Sequence, residues 1–273
     1  MRNCWCHMVE EVIAAPHTAR DSRPFANHVA LVTGATSGIG RAIAAALAAR
    51  GAEVRLVGRD AARLAEAAAQ CEAVGTRALT CQVDLLKDDE VARLGDLCDR
   101  RGRLDILVHS AAVIARGSVS DAPVSDFDTQ YLANLRAPFV LTQVLLPLLR
   151  TSRGQVVFIN STAGLKATRE VGQYSATKHG LRAIADALRE EVNSDGMRVL
   201  TAYIGRTATP MQAKVHELEG RSFIPEQLIQ PEDVAAVVLN TLGLPRTVEV
   251  TDVTMRPAHK STGPCHVTSP PID

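Results

Sequence analysis

The feature that most constrains the fold is an apolar run that ends in a glycine-rich loop and continues into an alanine-rich segment. Residues 29–35, VALVTGA, are apolar and partly β-branched, which predicts a buried strand. Residues 38–52, GIGRAIAAALAARGA, carry apolar residues at helical spacing and end near a glycine. Gly34, Gly38 and Gly40 would let the backbone and the free N–H groups of the helix approach a pyrophosphate. The pattern therefore predicts a phosphate-binding turn, with a plain tight turn as the alternative.

The same alternation of strand and helix continues to about residue 257, without a second boundary, repeat or low-complexity block. It predicts an α/β fold: a doubly wound parallel sheet flanked by helices on both faces. We expect a single domain at 28–257, a poorly ordered N-terminal extension at 1–27 and a loose C-terminal tail at 258–273. The later strands are predicted at 53–59, 77–84, 104–112, 154–162, 197–205 and 247–257, and the later helices at 60–75, 87–102, about 126–150, 173–195, 210–219 and 231–242.

Composition argues against several classes of partner. The 30 basic and 30 acidic residues balance and aromatic residues make up 3%, so no nucleic-acid partner is expected. No run of about 18 apolar residues is present, and Glu10 and Glu11 interrupt the apolar patch near the N-terminus, so we expect neither a membrane span nor a secretory signal. The six cysteines are scattered without a metal-binding spacing, which favours free thiols, no metal site and a cytoplasmic location.

The end of the second predicted strand bears on the choice of dinucleotide. The run LVGRD places Arg59 where a guanidinium would bind the 2′-phosphate of NADP, so NADP(H) is favoured over NAD(H). Arg59 pointing to solvent is the alternative, and Asp60 is interpreted as a helix cap. Asp84, at the end of the third strand, is a candidate acceptor for the adenine amino group or, alternatively, a helix cap.

A second group of residues has the chemistry for proton transfer. Tyr174 and Lys178 are four residues apart and share one face of a helix, where a nearby ammonium would lower the phenol pKa. A phenol tuned in this way exchanges a proton with a carbonyl or alcohol oxygen. Ser161 ends a strand and would hydrogen-bond the same oxygen. Asn134 is a polar residue in an apolar helix, and a water chain to Lys178 would satisfy its amide.

Together these residues resemble the short-chain dehydrogenase/reductase family over nearly all of 28–257. The resemblance rests on TGATSGIG at 33–40, on Asp84, and on the order and separation of Asn134, Ser161, Tyr174 and Lys178. It implies a Rossmann fold with a seven-stranded sheet and hydride transfer between nicotinamide and a ketone or secondary alcohol. It also implies Tyr174 as the general acid/base, Lys178 as the residue that holds the ribose and lowers the Tyr174 pKa, Ser161 as the residue that orients the substrate, and Asn134 as support for the proton relay.

The predicted cofactor contacts include two places where the chain departs from the family. Ile204 replaces a proline in IGRTATPM, and HSAA at 109–112 replaces Asn-Asn-Ala-Gly. His109 is expected to make a structural hydrogen bond, and Ala112 is expected to have a negative φ. The full set of predicted contacts is Gly34, Thr36, Ser37, Gly38, Ile39, Gly40, Arg59, Asp84, Leu85, Ser110, Ala111, Ala112, Tyr174, Lys178, Ile204, Gly205, Thr207 and Thr209.

The substrate is not named by the sequence. Residues 211–230 are amphipathic and predict a substrate lid. Exposed basic residues are usually solvated, but Arg116, Lys166 and Arg169 are candidates for binding an anion, and an apolar wall is predicted from Val113, Leu165, Val171 and Met211. The long apolar helices at about 126–150 and 173–195 favour a homodimer or homotetramer. The alternatives to an NADP(H)-dependent enzyme are an NAD(H)-dependent dehydrogenase and a dinucleotide sensor without turnover.

Overall fold

In the computed structural model, residues 23–99 and 102–258 are described, and their strands form one parallel sheet. The strand order is β3-β2-β1-β4-β5-β6-β7, with every neighbouring pair parallel. The predicted doubly wound fold with a single domain is confirmed. The strands are β1 Val29–Thr33, β2 Glu53–Gly58, β3 Ala78–Gln82, β4 Ile106–His109, β5 Gln155–Ser161, β6 Arg198–Ile204 and β7 Asp252–Met255.

Helices cover both faces of this sheet, and each face has its own apolar core. On one face, Ile43 and Leu47 pack with Val54 and Val238, and on the other Leu141 and Leu145 pack beneath Phe158. Parallel strands are buried on both faces, which explains their continuous apolar sequences. The helices are α1 Gly38–Ala49, α2 Ala61–Glu72, α3 Asp88–Asp99, α4 Val124–Tyr131, α5 Ala137–Ser152, α6 Gly172–Val192, α7 Pro210–Leu218 and α8 Pro231–Leu242.

The helix predicted at about 126–150 is not continuous. A π-helical turn, Leu132–Arg136, separates α4 from α5. Its wider backbone accommodates one additional residue in the turn, and such turns are frequent at functional sites. Asn134 lies in this turn and is fully buried. The whole span Val124–Ser152 is long and apolar enough to cross a membrane by length and composition alone, but Leu141, Leu145 and Leu149 are buried against the sheet.

Two predicted boundaries differ from the structure. Residues 1–22 of the predicted extension lie outside the described residues, but 23–27 form a turn in which Phe25 is 3% exposed and belongs to the core. The final strand, predicted at 247–257, is only Asp252–Met255. The chain before it is held by Arg198, whose guanidinium donates to the carbonyl oxygens of Pro245 and Val248 at 3.1 and 2.7 Å.

The carboxyl ends of β1 and β4 lie side by side, where the chain crosses from β3 to the other half of the sheet. Ligands of doubly wound folds bind in the crevice at this switch point. Thr33 ties the two ends together, since its hydroxyl oxygen accepts from the backbone N–H groups of Ser110 and Ala111 at 3.0 and 3.1 Å. The fold therefore places the glycine loop and the HSAA segment against one another.

Candidate active site

A cavity of about 550 Å³ lies along the carboxyl edge of the sheet. Every residue predicted to contact the cofactor lines it, and so does Ser161. Asn134 does not reach the wall, because it is buried behind it. These residues come from segments all along the domain. They meet in one cavity because they follow the carboxyl ends of parallel strands, which lie at the same edge of the sheet.

The glycine loop has the shape that a dinucleotide pyrophosphate needs. Gly34 has φ +65°, and a Cβ there would lie 2.9 Å from the backbone of Ala111. Gly38 has φ +53°, and a Cβ there would lie 2.9 Å from the Thr209 side chain. Ser37 makes no capping bond with its side chain, so the N–H groups of the first turn of α1 remain available to an anion. The residues present therefore fit a bound dinucleotide.

The region around the ends of β2 and β3 contains one residue that the sequence reasoning missed. Arg59 and Arg63 both line the cavity, and Arg63 is one helical turn beyond Arg59. Asp60 caps α2 by accepting from the Arg63 N–H at 3.1 Å, as expected. Asp84 lines the cavity and also accepts from the Leu86 N–H at 3.1 Å, so one of its oxygens closes the turn before α3, which begins at Asp88, and does not cap that helix. Arg63 was identifiable from its spacing to Arg59.

Tyr174 and Lys178 lie on one face of α6 and are buried. The Lys178 Nζ is 5.8 Å from the centroid of the Tyr174 ring and donates to the Ile159 carbonyl oxygen at 3.2 Å. Asn160, which sequence reasoning missed, joins this helix to β5. Its Nδ2 donates to the Lys178 carbonyl oxygen at 3.0 Å and its Oδ1 accepts from the Ser161 N–H at 2.7 Å. Asn160 therefore positions both the lysine and the serine.

The expected lowering of the Tyr174 pKa by Lys178 is wrong for this structure. Burial raises the pKa of Tyr174 to about 12, and a hydrogen bond with Ser161 opposes only part of that rise. Burial also lowers the pKa of Lys178 to about 8. Desolvation disfavours the charged form of each group and is the main cause of both shifts. At neutral pH Tyr174 is a neutral phenol and Lys178 is predominantly an ammonium.

Asn134 is satisfied by different partners from those expected. Its Nδ2 donates to the Val113 carbonyl oxygen at 2.9 Å and to the Thr177 hydroxyl at 3.2 Å, and its Oδ1 accepts from the Val113 N–H at 2.8 Å. These bonds tie the loop after β4 to α6 at the residue before Lys178. The amide therefore needs no water chain to Lys178 for its donors to be satisfied.

His109 is structural, as expected. Its Nε2 lies 2.9 Å from the Thr142 hydroxyl, and its ring stacks on Phe158 with centroids 4.9 Å apart. The Thr142 hydroxyl donates its proton to the Pro138 carbonyl oxygen, so His109 Nε2 is the donor in their bond. Burial lowers the pKa of His109 to about 3. The φ of Ala112 is negative, as predicted.

The loop after β6 is held firmly despite the replacement of proline by Ile204. Ile204 is 4% exposed in the core, and the Gly205 N–H donates to the Met255 carbonyl oxygen at 2.8 Å. Thr209 caps α7 by accepting from the Gln212 N–H at 3.2 Å. This helix begins the predicted lid, and its Met211 lines the cavity.

The predicted substrate residues divide into two groups. Val113, Val171 and Met211 line the cavity, whereas Leu165 is 40% exposed and does not. Of the candidate anion-binding residues, exposed Lys166 and Arg169 lie away from the wall. Arg116 lines the cavity, but its guanidinium is already paired with Glu170 at 3.0 Å and Glu219 at 2.8 Å. The proposed anion role of Arg116 therefore does not hold for the protein as it stands.

Comparison with known proteins agrees with this geometry. The family model described as short chain dehydrogenase matches residues 28–220. An uncharacterized oxidoreductase of Staphylococcus epidermidis is 34% identical over 231 residues, which are 84% of this chain and 96% of that protein. Sepiapterin reductase of Chlorobaculum tepidum is 33% identical over 240 residues, with coverages of 84% and 96%. A metagenomic short-chain oxidoreductase solved in complex with NADP has a TM-score of 0.74 at 28% identity, covering 87% of this chain and 100% of that chain.

Proposed function

This chain belongs to the short-chain dehydrogenase/reductase family of oxidoreductases, and from that premise we propose that it transfers a hydride between NADP(H) and a ketone or secondary alcohol. The observation that carries the proposal is the meeting of Ser161, Tyr174 and Lys178 on the wall of the cavity that the glycine loop also lines. A nicotinamide bound there would supply or accept the hydride at the substrate carbon. The residues of this chain would handle the substrate oxygen and its proton.

Tyr174 is the proposed general acid for carbonyl reduction. Because its pKa is raised to about 12, the phenol carries its proton at neutral pH and can donate it from Oη to the substrate oxygen as the hydride reaches the carbon. The Ser161 hydroxyl would donate a hydrogen bond to the same oxygen and stabilise its developing charge. The Lys178 ammonium would stabilise the phenolate left behind, and in alcohol oxidation the same atoms act in reverse.

The preference for NADP(H) rests on Arg59 and Arg63. Two guanidinium groups at the end of β2 suit a ribose 2′-phosphate, although that of Arg63 also lies 3.5 Å from Asp60 in an exposed pair. The end of β2 carries no other acidic side chain for a free 2′-hydroxyl, and Asp60 also caps α2. The NADP bound by the metagenomic neighbour supports the same choice. An NAD(H)-dependent enzyme is the alternative within this fold. A dinucleotide sensor without turnover is the alternative outside it, and the complete set of Ser161, Tyr174 and Lys178 disfavours it.

One experiment separates these three functions. Purified protein is titrated with NADPH and NADH by fluorescence, and NADPH consumption is then followed against a panel of ketones and diketones that includes sepiapterin, the substrate class of the Chlorobaculum relative. We expect tighter binding of NADPH and loss of 340 nm absorbance with at least one carbonyl compound. Tighter binding of NADH would contradict the role of Arg59, and tight binding without turnover of any carbonyl would support the sensor.

Assembly and location remain predictions. We propose that two copies pair through α4, α5 and α6, because Val124, Phe127, Tyr131 and Phe139 leave apolar surface exposed on the first two of these helices. Light scattering at micromolar concentration tests this, and a monomeric mass would contradict it. A cytoplasmic location is proposed from the scattered cysteines, of which Cys71 and Cys81 are buried.

A further inference from the structure

A cluster of charged side chains joins four segments of the chain at the substrate end of the cavity. Arg116 follows β4, Glu170 precedes α6, Arg206 follows β6, and Glu219 follows α7. The first two segments are also joined through the backbone, because the Gly117 N–H donates to the Glu170 carbonyl oxygen at 2.9 Å. Glu170 lies four residues before Tyr174 in the chain, just ahead of α6.

Glu219 is the centre of this cluster. Its Oε1 accepts a hydrogen bond from Arg206 Nη2 at 2.8 Å and lies 2.8 Å from Arg116 Nη1. Its Oε2 is 2.8 Å from Arg206 Nη1 and 3.8 Å from Arg221 Nε. The Glu219 side chain is 8% exposed, and that of Arg116 is 18% exposed. A carboxylate so enclosed by guanidinium groups is held in one place.

Carboxylates pair the arginines of the cluster, with one positive charge in excess. Arg116, Arg206 and Glu219 line the cavity, and Glu170, which does not line it, pairs with the second outer nitrogen of Arg116. Arg221 does not line the cavity either. Burial would raise the pKa of Glu219, but the hydrogen bond from Arg206 and the charges of Arg206, Arg116 and Arg221 hold it below its ordinary value. Glu219 is therefore ionised at neutral pH and is the counter-ion that Arg116 and Arg206 share.

Resting on the proposed function, we propose that Glu219 is a specificity-determining residue, which restricts the cavity to uncharged carbonyl substrates by occupying the anion-binding positions of Arg116 and Arg206. A substrate carboxylate can take the places of the Glu219 oxygens on these two guanidinium groups only by displacing Glu219. Displacement would leave a nearly buried carboxylate without its counter-ions, which is strongly unfavourable. An ester or ketone of the same shape needs no such exchange.

The test compares an acid with its ester in variants that differ by one charge. The probes are 4-acetylbenzoate and methyl 4-acetylbenzoate, with 4-oxopentanoate and its ethyl ester as an aliphatic pair. We expect the wild-type kcat/KM to favour the esters, and Glu219→Gln to shift the acid-to-ester ratio toward the acid by about tenfold or more, the value of a charge-assisted hydrogen bond. An unchanged ratio in Glu219→Gln, or a wild-type preference for the acids, would overturn the proposal.

Two further variants identify the source of any shift. Glu217→Gln removes the same charge two residues earlier, in α7, but Glu217 is exposed, pairs with Lys214 at 2.9 Å and does not line the cavity. We expect it to keep the wild-type ratio. The double variant Arg116→Gln/Glu219→Gln should lose part of the gain, since one of the two guanidinium groups that would receive the acid is gone and that of Arg206 remains. A gain of equal size in Glu217→Gln would mean that general charge, not the Glu219 position, sets the ratio.

A binding measurement separates this proposal from the proposed function, because it needs no turnover. In Glu219→Ala the position of the carboxylate is emptied, and formate should fill it. We expect sodium formate to raise the Tm of Glu219→Ala by about 3 °C or more above sodium chloride at equal ionic strength, with no such difference for wild type or Glu217→Ala. If formate does not stabilise Glu219→Ala, the proposed anion-binding position is wrong, even if the enzyme reduces ketones. Failure to reduce any carbonyl compound, with the formate effect present, would instead count against the proposed function.

Discussion

The two sides of the carboxyl edge of the sheet are built by different means. The β1–β3 side, formed by the loops after those three strands, is shaped by backbone: Gly34 and Gly38 have positive φ, and the charged Arg59 and Arg63 lie in its outer part. The β4–β6 side, formed by the loops after β4, β5 and β6, is shaped by buried polar side chains that bond one another across the fold, such as Asn134 and Asn160. We infer that the β1–β3 side binds the cofactor and that the β4–β6 side carries the groups that react with the substrate. Substitutions on the β1–β3 side should therefore change the dissociation constant for NADPH, and those on the β4–β6 side should change kcat.

The largest effect is expected on the β4–β6 side, at Tyr174. Tyr174→Phe removes the proposed proton donor while leaving the ring in its buried position, and general acid catalysis typically contributes 10²–10⁴-fold to rate. We expect kcat to fall by about 10³-fold, whereas the dissociation constant for NADPH should stay within about twofold of wild type. Steady-state NADPH consumption and fluorescence titration measure the two constants.

Tyr131→Phe is the matched control for this change. Tyr131 is 42% exposed on α4 and does not line the cavity, so its hydroxyl should be dispensable. A fully active Tyr174→Phe variant would remove Tyr174 from the mechanism. A variant that instead lost NADPH binding would show that the two sides are not separate.

The next effect is expected on the β1–β3 side, at Gly34. In Gly34→Ala a Cβ would lie 2.9 Å from the Ala111 backbone at φ +65°, so the loop must shift away from the phosphate position. We expect NADPH affinity to fall by about 10²-fold, while kcat at saturating NADPH stays within a few-fold of wild type. This is the reverse of the result expected for Tyr174→Phe.

Gly75→Ala controls for backbone strain alone. Gly75 also has a positive φ, of +81°, but a Cβ there would have only an Arg23 side-chain atom within reach, at 3.6 Å. It should lower stability and leave NADPH affinity unchanged. If Gly34→Ala lowers kcat as strongly as affinity, the glycine loop also positions the reacting groups.

The same contrast explains how much the sequence could predict. On the β1–β3 side the requirements are local: a glycine with positive φ, a strand that ends there and a helix that starts there are all visible within 33–40. The fold follows from the repetition of such units. Tyr174 and Lys178 were also identifiable, because their spacing on one helix is a local property.

The unpredicted features depend on contacts between distant segments. The π-helical turn holds the Asn134 amide between Val113 on one side and Thr177 on the other, which are far from it in the chain. Burial sets the Tyr174 pKa, and no local pattern reports how deeply a side chain will be covered. The pairing of Arg116 with Glu219 joins residues 103 positions apart, so the arginine alone predicted an anion site that its partner already fills.

The smallest effect is expected at His109, where the two sides meet. The folded protein holds this imidazole neutral, with a pKa of about 3, whereas in the unfolded chain it has the ordinary value of 6.5. Since the unfolded state binds one more proton below pH 6.5, stability falls as the pH falls and continues to fall toward pH 3. The contribution is about 1.4 kcal/mol per pH unit, and about 1.4 kcal/mol at pH 5.5.

His109→Asn should remove that proton from the balance. The smaller side chain lowers stability at pH 7, since it loses the stacking on Phe158, but the loss of stability from pH 7 to pH 5.5 should be smaller than in wild type by about 1 kcal/mol. Urea unfolding at several pH values measures this slope, and His179→Asn, which removes an exposed imidazole from α6, is the matched control. An unchanged slope in His109→Asn would mean that the buried imidazole accepts a proton without unfolding. A protonated His109 would then place a positive charge between β1 and β4. That charge would act on both the β1–β3 side and the β4–β6 side, so cofactor binding and catalysis would be less independent than the contacts indicate.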